Sequence, residues 1–126
     1  VMQKELILLK ALSDQNRLRI VAGLFRFDEL CACQVTELLE VAGPTVSRHL
    51  SVLSQAGVLN SRKSGRWIFY RLSESFSASL VAGWINTTVL DSDQALADQA
   101  QLKQITARGP EEICRKQRGE TCCPKN

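Results

Sequence analysis

The chain has 126 residues, 44% of them apolar and 23% charged, with a formal net charge of +3. This is one domain's worth of ordinary globular composition, and no apolar run approaches the length of a membrane span. Five cysteines is an odd count that argues against a secreted disulfide framework; with no signal-peptide layout at the N-terminus, a cytoplasmic location is expected.

Residues 3–12 (QKELILLKAL) are apolar and helix-prone, without Gly or Pro. A second helix follows, capped by a side-chain oxygen of Ser13 or Asp14, and Leu18, Val21, Leu24 and Phe25 give it an inward face. A short third helix is expected over Gln34 to Glu40, packing through Val35, Leu38 and Leu39. The fourth carries the clearest punctuation. Gly43 sits where an N-cap would be, Pro44 fits the first helical position, and Gly57 fits the left-handed position after the last turn.

Within the fourth helix Val46, Leu50 and Leu53 form an i, i+4, i+7 stripe. Thr45, Ser47, Arg48 and Ser51 fall on the other side, short hydroxyls around an arginine that suit groove edges and phosphates. His49 lies beside the stripe, where it can face either DNA or the helix packing. Two β-prone runs come next, Val58-Leu59 and Ile68-Phe69-Tyr70, joined by SRKSGR. They predict a two-stranded hairpin with a basic tip. Ser73 then caps a long helix from Glu74 to about Leu90, with Phe76, Leu80, Trp84, Ile85 and Val89 on one side. Residues 91–108 read as a weaker helical continuation, and from Gly109-Pro110 onward the polar chain reads as a flexible tail.

Charge is unevenly spread. Between Pro44 and Leu72 stand Arg48, Arg62, Lys63, Arg66 and Arg71 with no Asp or Glu. A basic block inside a near-neutral chain is the footprint of a phosphate-binding surface. Three short helices and a hairpin between apolar terminal helices predict a mainly α (α+β) fold, a winged helix-turn-helix with a two-stranded wing. The apolar excess at both ends predicts a homodimer through the N- and C-terminal helices. The expected division is a DNA-binding and dimerisation domain over 1–108 and a flexible, cysteine-containing tail over 109–126.

Cys31 and Cys33 pose a separate question. Two residues apart on a regular helix, their side chains would diverge by roughly 200°, whereas on extended backbone they would point the same way.

The segments ELCACQVTELL and GPTVSRHLSVLSQAGVLNSRKSGRWIFYRLS, with Leu12-Ser13-Asp14 and Arg17-Leu18-Arg19-Ile20 before them, resemble the ArsR/SmtB family of bacterial metalloregulatory repressors. ELCAC narrows the resemblance to the arsenical-resistance subgroup. It implies a repressor that binds operator double-stranded DNA as a homodimer and leaves it when arsenite or antimonite binds cysteine thiolates, with no organic cofactor and no membrane association. It puts Thr45, Ser47, Arg48 and His49 in or beside the major groove, Arg62, Lys63 and Arg66 on the wing, and Cys31 and Cys33 on the inducer. Where the subgroup has a third cysteine this chain has Thr36, so the third ligand is left open among Cys122, Cys123 and Cys114. The family's other metal site, on the last helix, uses histidines and carboxylates; here Asp91, Asp93 and Asp98 occur there, but the chain's one histidine is His49.

Soft trivalent arsenic and antimony prefer thiolates. Chelation through Cys31 and Cys33 would require the mouth of the third helix to leave helical geometry, and that distortion would turn Ser47 and Arg48 away from the groove. Cadmium, lead or thiol oxidation are the alternative triggers on the same fold. An enzyme is not expected: Cys122-Cys123 lacks the Cys-x-x-Cys spacing, a nearby base and a cofactor loop.

Overall fold

The computed structural model describes residues 2–118, except the side chains of residues 114–116 and 118. Helix α1 (Gln3–Leu12) leads into α2 (Gln15–Arg26), whose first turn is closed by Asp14: its Oδ1 accepts from the Arg17 N–H at 3.0 Å. Ile20, Val21 and Leu24 turn α2 into the core. Gly23 lets a neighbour close in, because a Cβ there would sit 2.9 Å from Leu102 Cδ1.

A two-residue strand, β1 (Leu30–Cys31), comes before α3 (Ala32–Leu39) and α4 (Gly43–Gln55). Glu40 ends α3 in the left-handed region, φ +58°. Ala42 is the N-cap of α4, one residue earlier than expected, so Gly43 and Pro44 fall inside the first turn. Val46, Leu50 and Leu53 are buried as a stripe, and Gly57 adopts φ +83° just past the helix end.

The wing is β2 (Leu59–Ser64) and β3 (Trp67–Leu72), antiparallel, with Ser64 opposite Trp67 and a two-residue loop between them. The expected two-stranded hairpin is a three-stranded sheet of order β1-β3-β2, in which Leu30 pairs with Tyr70 and Cys31 with Phe69. The architecture is a winged helix-turn-helix.

Beyond the wing the long helix is broken. Ser73 caps only α5 (Glu74–Ser77). Ser79 then starts α6 (Leu80–Thr88) by accepting from the Ala82 N–H, and a 3-10 turn covers Val89–Asp91. The break splits the expected apolar side. Phe76 and Ile85 are buried, while Leu80 is 93% and Trp84 60% exposed. Residues 93–108 form a separate helix, α7 (Asp93–Arg108), capped by Ser92 and packed on α2 and α3. Asp98, 4% exposed, receives Arg19 on both oxygens (2.9 and 3.0 Å), and Gln94 Nε2 adds a third donor at 2.9 Å.

Part of the stretch read as a flexible tail is described, and it is helical. Gly109 turns the chain at φ +81°, and α8 (Pro110–Arg118) returns against α3 with Ile113 fully buried. Among its described side chains, buried Ile113 and the hydrogen bonds of Gln117 hold the helix in place. Cys122 and Cys123 lie outside the described residues.

Candidate functional site

Because its apolar stripe is spent on the core, α4 presents Thr45, Ser47, Arg48 and Ser51 to solvent, as the sequence suggested. His49 does not join them. It is 9% exposed, and its Nδ1 lies 3.0 Å from Arg17 NH1 on α2. Arg17 is fixed in turn by donating from Nε to the Ala11 carbonyl at 2.6 Å. Of the two surroundings the sequence left open for His49, the structure shows the helix packing, a tie between α4 and α2 whose partner stands 32 residues away.

On the wing, Lys63 and Arg66 are exposed, with the Arg66 guanidinium 5.5 Å from the centre of the Trp67 ring. Arg62 differs. Its Nε and NH2 donate to the two carboxylate oxygens of Glu29 at 2.6 and 2.7 Å, and its guanidinium lies 4.9 Å from the Phe69 ring centre. The Arg62 hydrogen bonds hold the Glu29 carboxyl below the usual carboxylate range. Sequence reasoning missed Glu29, which carries no local signal; only the pairing of β1 with the wing brings it there.

These placements give a graded expectation for DNA. Arg48→Ala should weaken operator binding by about 1–3 kcal/mol if its fork grips a base edge. Lys63→Ala should weaken all sequences alike and lower the salt slope by about one unit, and Arg62→Ala should lower it less, because Glu29 already offsets that charge. Equilibrium titrations at several salt concentrations check this ordering. Equal slopes for the two wing variants would mean that Arg62 leaves Glu29 on binding.

The two cysteines answer the geometric question in an unexpected way. Cys31 is the extended N-cap residue of α3 (φ −89°, ψ 164°), and Cys33 lies in the first turn. The change of backbone between them brings the sulfurs to 2.9 Å. Helix distortion is therefore not needed to bring them together; the strand-to-helix junction does it in the resting protein. Gln34 Oε1 accepts from the Cys31 N–H at 2.9 Å and fastens the junction.

Both residues are buried, Cys31 at 0% and Cys33 at 3% exposure. Burial pushes the Cys31 thiol up from its ordinary range, against the opposing pull of backbone N–H groups from Gln34 and Cys33.

Beside Cys33 a cleft of 360 Å³ runs between Thr36 of α3, Ala42-Gly43 at the start of α4, and Gln117 of α8. Ser47 lines it too, so the cleft reaches from the sulfur pair's neighbourhood to the exposed face of α4. Thr36 offers no substitute ligand there, since its hydroxyl is turned onto the Ala32 carbonyl at 2.9 Å. On α7, Asp98 is committed to Arg19. Pro110 and Gln117 of α8, both in contact with Cys33, were also missed, because PEEICRKQR reads as solvated chain.

Residues 14–61 match the family described as "Bacterial regulatory protein, arsR family". The chain is 37% identical over 91 residues to the arsenic resistance transcriptional regulator ArsR1 of Pseudomonas putida, covering 70% of this chain and 67% of that protein. It is 43% identical over 61 residues to the cadmium resistance transcriptional regulatory protein CadC of Listeria innocua, spanning 48% of this chain and about half (51%) of that protein. Among solved structures it resembles the transcriptional repressor BigR of Xylella fastidiosa, with a TM-score of 0.55 and 32% identity over 67% of this chain and 85% of that one. With an exposed helix-turn-helix face, a basic wing and these relatives, the chain belongs to the ArsR family of DNA-binding transcriptional regulators.

Proposed function

We propose that this regulator is a repressor released from its operator when trivalent arsenic or antimony binds Cys31 and Cys33. One observation carries the reading: two buried sulfurs, 2.9 Å apart, at a junction that belongs both to the wing sheet and to the helix packed on α4. A ligand that closes on this pair pulls on β1 and on the first turn of α3 together. The first moves the wing and the second moves the seat of α4, so Arg48 and Lys63 cease to fit the same duplex. Thr45, Ser47, Arg48 and Ser51 serve the major groove in this reading, and Lys63 and Arg66 the phosphates. The exposed Leu6, Ile7 and Leu9 of α1 and Leu80 and Trp84 of α6 are the surface that a second copy covers, giving a two-fold dimer for two half-sites.

Burial favours the metalloid over a divalent ion. Arsenous acid exchanges hydroxide for neutral thiol and gives off water, so neither a proton nor a charge is left behind. Cadmium or lead must displace a proton from each thiol and leaves charge in the site once a third thiolate joins. A low-dielectric pocket that raises a thiol's pKa resists the second reaction and not the first.

The test is the pH dependence of release from labelled operator DNA by the reduced protein. Half-release by arsenite should shift by less than about twofold between about pH 6 and 8. Release by cadmium should grow more effective with pH, by roughly tenfold per unit for each proton displaced. Cadmium acting at lower concentration than arsenite at both pH values would make the divalent ion the inducer. A second reading, release by thiol oxidation, is favoured by the closeness of the two sulfurs, 2.9 Å apart. Peroxide-driven release that a phosphine reductant reverses, with no response to arsenite, would identify it.

A further inference from the structure

Lys63, Arg66 and Arg71 are exposed on the wing, and Arg62 stands among them. Among the described residues, Arg62 is the wing cation that a carboxylate holds: its Nε and Nη2 donate to the two oxygens of Glu29 at 2.6 and 2.7 Å. A guanidinium edge with two parallel N–H groups is also what grips a phosphate bidentately. The partner comes from the far side of the sheet. Strand β3 lies between β1 and β2, and Cys31, Phe69 and Arg62 stand in one row across it. Arg62 therefore reaches over the Phe69 ring, 4.9 Å from its centre, to meet a residue just before β1.

The two partners are unequal. The Glu29 side chain is 21% exposed against 54% for Arg62, so the carboxylate is the enclosed, fixed end and the arginine the arm that can swing. Swung free, that arm would add a cation beside Lys63 and Arg66. An ion pair open to solvent gains little from its attraction, so a phosphate can compete with the carboxylate for the same two donors. While Glu29 holds them, the wing meets a duplex with one cation fewer than its sequence carries.

We propose that Glu29 is an internal competitor for DNA phosphate, an autoinhibitory contact that withholds Arg62 from the duplex and keeps affinity below what the wing could reach. This rests on the reading of the wing as a phosphate-binding surface. Phosphate contacts carry no sequence information, so the withheld contact lowers the grip on operator and on unrelated duplex alike. Less of the protein is then held on DNA that is not its operator. The residue that does this stands two positions before Cys31, on the chain leading into the strand that carries that sulfur.

The test measures affinity against salt concentration for the full chain, with labelled operator and with an unrelated duplex of the same length. Glu29→Gln keeps the side chain's size and removes its charge. It should steepen the salt slope by up to about one unit on both duplexes, the contribution of one phosphate. At low salt it should tighten both about two- to fivefold, the range an exposed pair can withhold. A gain in binding is not what a damaged fold gives. In an Arg62→Ala background the same substitution should leave the slope nearly unchanged. Arg62→Lys, which keeps the charge and loses the fork, should steepen the native slope as well. An equal gain in the native and Arg62→Ala backgrounds would mean that Glu29 acts through its own charge. Slopes no steeper than native in Glu29→Gln and Arg62→Lys would mean that Arg62 already reaches the duplex. Either result overturns the proposal. A Lys63→Ala slope equal to the native one would instead overturn the reading of the wing beneath it.

Discussion

The Cys31→Ser, Cys33→Ser variant is expected to hold its operator with near-native affinity at arsenite concentrations that strip the native protein. The fold should tolerate the change. Serine is close in size to cysteine, and at the N-cap of α3 it is the better capping residue. Neither sulfur lies on the exposed face of α4, so DNA affinity has no direct reason to fall. What disappears is softness: a hydroxyl at neutral pH replaces a thiol that could have given a thiolate-type bond. Anisotropy of a labelled operator during an arsenite titration reads both quantities at once. Release as easy as in the native protein would remove the sulfur pair from the mechanism.

The largest effect on stability is expected far from the sulfurs, at Arg19→Ala. Asp98 is buried on α7 and receives both arms of Arg19, whose NH2 also lies 3.5 Å from the Leu38 carbonyl of α3. Removing the arginine leaves a buried carboxylate with Gln94 as its one remaining side-chain donor among the described residues, a loss of about 3–5 kcal/mol. Replacing both partners, as Arg19→Met with Asp98→Leu, should recover most of it, because the pair's cost is desolvation as much as its gain is attraction. Denaturant midpoints measure both variants. A loss below about 1 kcal/mol for Arg19→Ala would mean that water screens the pair after all.

Much of the fold is written in local chemistry, which is why it could be read in advance. Asp14 before Gln15, Ser73 before Glu74, and Gly57 after the apolar stripe are caps and stops that act within one turn of themselves. The missed features depend on distant partners or on very little chain. Strand β1 is two residues long, too short to show alternation, and exists because β3 offers it an edge. Its absence from the sequence reading concealed both the Glu29–Arg62 pair and the extended backbone that brings the sulfurs together. The described side chains of α8 hold it through buried Ile113 and the hydrogen bonds of Gln117, partners that lie about 80 residues back along the chain. The break at Ser79 did have a signal, a third serine in SFSAS immediately before an apolar run, which a helix read only for periodicity passes over.

For the candidate site the division is similar. Thr45, Ser47, Arg48 and Ser51 follow from where the apolar stripe must point, and α4 presents them accordingly. His49, at the edge of that stripe, was decided by Arg17, and no helical wheel includes a residue from another helix.

The pairing of Cys31 with Phe69 also gives the wing a lever arm. From Phe69 to Arg66 at the tip is three residues of strand, about 10 Å at 3.3 Å per residue. A tilt of only about 10° at the Cys31 end would sweep the tip through roughly 2 Å, several times the half-ångström window, about 2.7–3.2 Å, within which a charged side chain keeps a hydrogen bond to phosphate. A displacement at the sulfurs too small to disturb the core is thus magnified where the duplex would be held, and a shorter wing on the same junction would need a larger movement to let go.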